Sequence, residues 1–284
     1  MPAGISFADA ESTFSEADVI IYGIPYDRTT HFRAGSREAP GAVRRASYNF
    51  EVGHFEHGKT PEVLMHDFGD VDDHVYPEDM FDEIKFSFAP AISNGQFTAA
   101  IGGEHSVTAP IVESYGKVSV ISIDAHLDSR DEFMGCPLSH ACVMRRCAER
   151  VGLDNVFVLG VRSICDEELE RDDIVPHISS YEIMEKGMEF AIRKALDSVR
   201  NERIYLTIDI DGVDPAFAPG TGTQEPFGLM PMDVKKLINA IGDRLAGMDV
   251  VEISPPYDHG GITSVLGARY LKEGIAVFSK HNLS

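Results

Sequence analysis

The sequence lacks the marks of membrane and secreted proteins. It has no apolar run of about 18 residues, the length needed to span a bilayer. Its first residues also lack a basic stretch followed by an apolar one. The 4 cysteines form no C-x-x-C pair, which argues against a zinc ribbon or a thioredoxin-like site. We therefore expect a cytoplasmic protein with free thiols and no membrane partner.

Basic residues are scarce relative to acidic ones. The chain has 25 Lys and Arg residues against 46 Asp and Glu residues, for a formal net charge of −21. Such a surface repels phosphate, so nucleic acid is a poor partner, whereas a small cationic ligand is attracted. Solubility alone could also explain the charge. We interpret the acidic segment at 166–170 as a solvated helix face.

The remaining composition fits one α/β domain over residues 1–284. Hydrophobic residues make up 43% of the chain, enough for a sizeable core, and no linker or repeat interrupts it. Short apolar runs predict strands at 19–23, 97–101, 118–123, 156–161, 204–208, 250–253 and 275–278. Helix-like stretches lie between them, at 78–94, 139–151, 181–201 and 232–246. This alternation is typical of a parallel sheet with helices on both faces.

Residues able to bind metals or transfer protons stand at or just after four of these strands. They are His105, Asp124, His126, Asp128, Asp209, Asp211 and Glu252. Ligands of open α/β sheets bind at the carboxyl ends of the strands. We therefore expect these side chains to converge on one crevice.

The spacing of the acids indicates a metal centre. Side chains two residues apart in an extended chain point to the same side, so Asp124, His126 and Asp128 would face one point, as would Asp209 and Asp211. Carboxylates that close repel one another unless a counter-charge is present. With His105 the chain offers six candidate ligands, which is too many for one tetrahedral zinc ion. A mixture of carboxylate oxygen and imidazole ligands favours Mn²⁺. The acids could instead cap helices or form salt bridges.

Two other functions use a similar D-x-D-G pattern. An EF-hand loop starting at Asp209 requires Gly at its sixth position and Glu at its twelfth, where this chain has Asp214 and Gly220. A phosphatase with an aspartyl nucleophile would leave the segment at 124–128 and His105 without a role. We reject the first interpretation and disfavour the second.

Together these segments resemble the ureohydrolase superfamily of arginases, agmatinases and their relatives. The resemblance lies at 102–106, 124–128, 209–223 and 251–255, with further matches at 23–27 and 40–44. It implies a three-layer α/β/α sandwich with a mostly parallel sheet of about eight strands, usually in a homotrimer or homohexamer. It also implies two Mn²⁺ ions per subunit. One ion would be held by His105, Asp124, Asp128 and Asp209, and the other by Asp124, His126, Asp209 and Asp211.

The resemblance implies roles in splitting a guanidino group into urea and an amine. A metal-activated water would attack the guanidino carbon. Glu252 would pair with the guanidinium, and Asp128 would carry a proton to the departing nitrogen. His140 matches a histidine credited with proton shuttling, although it could instead be a packed or capping residue at a helix start.

The segment after Asp128 bears on the substrate. Arginases hold an α-carboxylate there with polar residues, whereas this chain has Arg130, Asp131 and Glu132. These acids would repel a carboxylate, and we expect Asp131 to bind the substrate's amine. Because 251–258 resembles agmatinases more than arginases, agmatine, giving putrescine and urea, is the expected substrate. Arg130 could receive a carboxylate, so arginine, guanidinobutyrate, formiminoglutamate and aminopropylagmatine stay open. A non-catalytic metal-binding protein of this fold is a remote alternative.

Overall fold

The structure is a computed structural model that describes residues 5–51, 56 and 63–283. Its eight strands form one sheet in the order β2-β1-β3-β8-β7-β4-β5-β6, and every pairing is parallel. The strands are β1 Val19–Gly23, β2 Met65–Asp70, β3 Phe97–Ile101, β4 Ser119–Ile123, β5 Val156–Val161, β6 His177–Ser179, β7 Ile204–Asp209 and β8 Leu245–Val251. The predicted parallel sheet is confirmed.

Helices cover both faces of this sheet. In chain order they are α1 Ala39–Ser47, α2 Pro77–Ser93, α3 Thr108–Tyr115, α4 Val143–Val151, α5 Asp166–Leu169, α6 Ser180–Lys186, α7 Met188–Ser198, α8 Pro231–Ile241 and α9 Ile262–Asn282. In the part of the chain that the structure covers, no helix is both long and apolar enough to cross a membrane.

The core consists of two apolar layers separated by the sheet. Val19 and Ile21 of β1 pack in one layer, with residues of α1, α7, α8 and α9. Ile20 and Tyr22 pack in the other, with residues of α2, α3 and α4. Alternate residues of a strand point to opposite faces, which produces this division. The three-layer α/β/α sandwich is therefore confirmed, and burial on both faces explains why the inner strands are almost wholly apolar.

Strand predictions failed where burial was one-sided or ambiguous. The run at 275–278 is not a strand but lies in the long helix α9. Four apolar residues do not distinguish a buried strand from a buried helix turn. The edge strands β2 and β6 were not predicted, because their sequences MHDFGD and HIS are partly polar and partly exposed. A strand at the sheet edge needs no continuous apolar run.

Glycines account for the differences in helix length. The helix predicted at 181–201 is divided at Gly187, whose φ of 85° interrupts it between α6 and α7. The helix predicted at 232–246 ends at Ile241, because Gly242 has a φ of 59° and β8 starts soon after. Glycine adopts positive φ without the strain of a Cβ, so it commonly terminates helices.

Candidate metal centre and active site

The predicted ligands lie at the carboxyl ends of four adjacent central strands. These strands are β3, β8, β7 and β4, in that spatial order. His105 follows β3, Glu252 follows β8, Asp209 ends β7, and Asp124 follows β4. Because the strands are parallel, their ends meet at one edge of the sheet, where ligands of this architecture bind.

One group of ligands surrounds the imidazole of His105. Its Nδ1 lies 3.2 Å from Asp124 Oδ2 and 3.3 Å from Oδ2 of both Asp128 and Asp209. All four residues are buried. Atoms bonded to one ion at about 2.0–2.2 Å must lie roughly 3.0–3.6 Å apart. The four side chains are therefore spaced to hold a single divalent cation.

A second group shares Asp124 with the first. His126 Nδ1 lies 3.6 Å from Asp124 Oδ1 and 3.1 Å from Asp211 Oδ2. Asp124 thus offers one oxygen to each group, as a bridging ligand does. Asp209 belongs to the first group only, so its bridging role stays a prediction. The structure brings all six predicted ligands together.

The chain reaches this arrangement by turns rather than by continued strand alternation. Asp128 has a φ of 48°, a left-handed conformation that is strained for a residue with a Cβ. Asp209 accepts a hydrogen bond from the backbone N–H of Asp211 at 2.9 Å, which folds that residue back towards the site. A Cβ on Gly212 would lie 2.8 Å from the backbone nitrogen of Asp124, so only glycine lets this turn pack against the end of β4.

The electrostatics of the site favour the binding of a positive charge. Burial and the charge of Asp124 raise the pKa of Asp128 to about 7. Burial and the charges of Asp211 and Asp124 raise the pKa of Asp209 well above its usual value. Among the described residues, Asp124 Oδ2 and His105 Nδ1 are buried without a directed hydrogen bond. A divalent cation would satisfy these atoms, and the residues therefore fit a metal pair.

A polar network behind the site orients His105. Its Nε2 lies 2.9 Å from the Thr207 hydroxyl, which turns Nδ1 towards the carboxylates. The buried carboxylate of Asp249 accepts hydrogen bonds from the hydroxyls of Thr108 at 2.8 Å and Tyr205 at 3.0 Å. Such partners fix the ring orientation of a metal-binding histidine. The sequence signal for Thr207 was its position two residues before Asp209, on the same face of β7.

Two glutamates near the metal centre, the buried Glu104 and the partly buried Glu252, differ in the number of hydrogen bonds that they accept. Glu104 accepts hydrogen bonds from the backbone and hydroxyl of Thr29 and from the hydroxyl of Ser106. Glu252 accepts one, from the backbone N–H of His105 at 2.7 Å, through Oε1. Burial and the charge of Glu104 raise the pKa of Glu252 well above its usual value. The second oxygen of Glu252 therefore remains available to a cationic ligand.

The candidate proton carrier His140 is held between two side chains. Its Nδ1 lies 3.1 Å from the Thr29 hydroxyl, and its Nε2 lies 3.3 Å from Nδ1 of His31. Burial, followed by the charges of His31, His105 and His126, lowers the pKa of His140 to about 4. His140 is therefore neutral at physiological pH. His31 itself was not predicted, because a loop histidine carries no recognisable spacing.

A cavity of about 350 Å³ opens above these residues. Its wall includes Asp128, Asp209, Asp211, Glu252 and His140. The ligand cluster thus stands beside a space large enough for a small organic molecule.

Comparison with known proteins agrees with this geometry. A family model described as "Arginase: Arginase family" matches residues 17–276. The chain belongs to the arginase family. An agmatinase of Bacillus subtilis is 32% identical over 98% of both chains. The N(1)-aminopropylagmatine ureohydrolase of Synechocystis sp. is 34% identical, covering 87% of this chain and 85% of the relative. The resemblance to ureohydrolases is confirmed.

The fold of this arginase-family protein also matches solved structures. The crystal structure of agmatine ureohydrolase of Thermoplasma volcanium aligns with a TM-score of 0.91 and 36% identity. The alignment covers 97% of this chain and 94% of that one. The arginase family is metal-dependent, in agreement with the two ligand groups.

One predicted site residue lies away from the cavity. Asp131 is 66% exposed at its side chain and accepts a hydrogen bond from Arg146 at 3.0 Å. It does not line the cavity, whereas its neighbour Arg130 does. Arg130 therefore faces the cavity, whereas Asp131 faces solvent. The structure therefore does not bring Asp131 to the site.

Two other acids take that place in the cavity wall. Glu225 lines the cavity, with Oε1 3.7 Å from Nε2 of His126. Glu168 also lines it, is buried, and accepts hydrogen bonds from the backbone N–H groups of Ser129 and Cys165. The interpretation of 166–170 as a solvated face was therefore wrong for Glu168, because that carboxylate ties two loops together.

Proposed function

We propose that this protein hydrolyses the guanidino group of a small cationic compound to urea and an amine with the help of two Mn²⁺ ions. The observation that carries the proposal is the pair of ligand groups beside a cavity of about 350 Å³. The proposed ligands are His105, Asp124, His126, Asp128, Asp209 and Asp211. Mn²⁺ suits a set rich in carboxylate oxygen with some imidazole. When bound, such ions lower the pKa of water and so supply a nucleophile at neutral pH.

The chain's own residues position the substrate and move its protons. Glu252 has one oxygen free, and pairing with a guanidinium would restore the charge that burial disfavours. Asp128 lies in the first ligand group and can accept a proton from the attacking water. His140 is neutral and lines the cavity, so it can carry a proton to the departing amine.

We propose agmatine as the substrate. The B. subtilis relative is an agmatinase, and the net charge of −21 favours a dicationic ligand. Glu168 and Glu225 replace Asp131 as the acids that face the cavity. Agmatine would place its guanidinium beside Glu252 and its amine towards this acidic part of the wall.

A second candidate is a guanidino compound with a carboxylate, such as guanidinobutyrate. Arg33 and Arg130 line the cavity, and neither forms an ion pair with any residue that the structure describes. Their guanidinium groups instead lie over Phe32 at 4.7 Å and Phe133 at 4.8 Å. An arginine without an acidic partner can receive a carboxylate.

A substrate panel tests both candidates. Urea release is measured with agmatine, aminopropylagmatine, guanidinobutyrate and arginine, with Mn²⁺ and with a chelator. We expect agmatine to give the highest kcat/KM, and chelation to abolish the activity. Activity on carboxylated guanidines alone would overturn the agmatine proposal in favour of the second candidate. A protein that binds two metal ions and turns over none of the four would be a non-catalytic member of the fold.

A further inference from the structure

A second histidine stands between His140 and the solvent. Nδ1 of His31 lies 3.3 Å from Nε2 of His140, and the two rings are parallel, with centroids 5.4 Å apart and planes 3° apart. His31 is exposed, whereas His140 is only partly so, and both line the cavity. The two imidazoles therefore form a continuous path from the solvent to the inner wall.

The hydrogen-bond partners determine which ring nitrogens carry protons. The Thr29 hydroxyl donates to Glu104, so towards His140 its oxygen acts as an acceptor. It accepts from the backbone N–H of His140 and is placed to accept from Nδ1–H as well, each 3.1 Å away, and the Ser139 hydroxyl lies 3.3 Å from the same Nδ1. Nε2 of the neutral His140 ring then has a free lone pair. Nδ1–H of His31 donates a hydrogen bond to this lone pair. Nε2 of His31 is then left to exchange protons with water.

The loop that carries His31 is fixed by further contacts besides the one between the two imidazole rings. The carboxylate of Glu104 accepts hydrogen bonds from the backbone N–H groups of Thr29 at 2.7 Å and Thr30 at 3.1 Å. The ring of Phe133 stands edge-on to His31, with centroids 5.1 Å apart. These contacts hold the outer imidazole in place, so the contact between the rings is not an accident of a free side chain.

The surrounding charges keep both rings neutral. Burial, then Arg130 and His126, lower the pKa of His31. Burial, then His31, His105 and His126, lower the pKa of His140 to about 4. A charge on His31 disfavours a second charge on His140, so the pair carries at most one proton beyond the single N–H of each neutral ring.

We propose that His31 is the outer member of a two-imidazole relay that returns a proton to His140 during turnover. His31 takes a proton from water at Nε2 and gives its Nδ1 proton to Nε2 of His140. The hydroxide left by that water is neutralised by the proton that Asp128 accepted from the attacking water and then releases. His140 gives that proton to the amine nitrogen as its bond to the guanidino carbon breaks, and the electrons of that bond stay on the nitrogen. The relay rests on the proposed hydrolysis. His31 acts in it through His140 and not on the substrate, so it is a positioning residue and not a catalytic one.

Two variants at His31 separate proton transfer from packing. His31→Phe keeps a ring against Phe133 and His140 but carries no proton, whereas His31→Ala leaves a space. We expect each to lower kcat about 10-fold while KM stays within about twofold. Imidazole added to the buffer should restore kcat several-fold in His31→Ala and not in His31→Phe. His259→Ala removes an exposed histidine outside the cavity wall and serves as the control.

The relay is overturned if His31→Phe keeps the wild-type kcat and pH profile, or if imidazole fails to restore His31→Ala. A wild-type protein that hydrolyses none of the guanidino compounds refutes the proposed function and the relay with it. An active wild type with unaffected variants refutes the relay alone. The two failures are therefore distinguishable.

The hydrogen bond itself is testable without turnover. Diethyl pyrocarbonate attacks an imidazole nitrogen with a free lone pair, and mass spectrometry measures the extent of reaction at each histidine. In the wild type Nε2 of His140 is occupied by His31, so we expect His140 to react at least about threefold faster in His31→Ala, with or without Mn²⁺. Equal rates in the two proteins would overturn the proposed contact.

Discussion

Two clusters of acids stand on the same sheet but are neutralised in different ways. At the edge, Asp67 of β2 accepts hydrogen bonds from Nε of Arg44 at 2.8 Å and from its Nη2 at 2.9 Å. Asp70 pairs with the same guanidinium. At the centre, Asp124 and Asp209 lie within reach of imidazole only, and no Lys or Arg of the described ranges forms an ion pair with them.

The difference separates a structural cluster from a ligand site. A buried carboxylate without a partner costs several kcal/mol, and the edge cluster avoids this cost with its own arginine. The central cluster retains the cost, which appears as the raised pKa of Asp128 and Asp209. An acid cluster that the chain leaves without a Lys or Arg partner is therefore the one shaped for an external ion.

Replacing a central acid should have the largest effect on activity. Asp128→Asn keeps the side-chain shape but removes a metal ligand and a proton acceptor. We expect kcat for urea release to fall about 10³-fold, with no loss of stability in the metal-free protein, since one repelling charge is gone. Kinetics and bound metal per subunit are measured together. Near-normal turnover would remove Asp128 from the mechanism.

Replacing an edge acid should lower the stability of the protein and leave its activity unchanged. Asp67→Asn takes the bidentate carboxylate from the buried Arg44 and leaves Asp70 as its remaining acidic partner, so we expect a loss of about 1.5–3 kcal/mol in the free energy of unfolding. The kcat of the folded fraction should be unchanged, because the cluster lies away from the cavity wall. Asp70→Asn, at a side chain that is 46% exposed, gives a milder variant if the first does not fold. A lowered kcat in either folded variant would break the contrast between the clusters.

The central cluster was predictable from the sequence, whereas the edge cluster was not. Inner strands are buried on both faces, so their apolar runs mark where they end, and Asp124 and Asp209 stand at those ends. The edge strand β2 is partly polar, and its pairing with Arg44 crosses 23 residues of sequence. No local sequence pattern predicts a contact between residues that far apart.

Side-chain direction in loops was also beyond the sequence. Asp128 was predicted to face the site because of strand alternation. It does face the site, but it reaches it through a backbone turn with a φ of 48°. His31 and His140 are 109 residues apart in the chain, and only the fold brings them together. Asp131 was predicted to face the cavity because of its charge, which says nothing about which way a loop residue points.

Metal binding at the central cluster should depend on pH, because the acids there must lose protons to bind an ion. Burial raises the folded-state pKa of Asp128 to about 7, and raises that of Asp209 and Glu252. The metal-free folded protein therefore holds protons that the unfolded chain releases near pH 4, and its stability falls as pH rises from about 4 to about 7. Mn²⁺ displaces these protons, so its stabilising effect should grow over the same range.

Thermal unfolding with Mn²⁺ and with a chelator, from about pH 5 to about pH 8, measures this effect. At 100 times Kd the ion should add about 3 kcal/mol at the upper end. Asp67→Asn should keep this gain in Tm, and Asp128→Asn should lose most of it. A gain that is constant with pH would contradict proton displacement at the acids.

The smallest effect is expected at Asp131, the acid that faces solvent. Its partner Arg146 also pairs with Glu149 at 3.1 Å, so Asp131→Ala leaves no buried charge and should change stability by less than about 0.5 kcal/mol. The kcat/KM for agmatine should stay within about twofold of the wild type. Glu225→Gln, in the cavity wall, is the matched variant and should raise KM several-fold. A rise in KM with Asp131→Ala and none with Glu225→Gln would mean that the loop after Asp128 turns its acid inward when substrate binds.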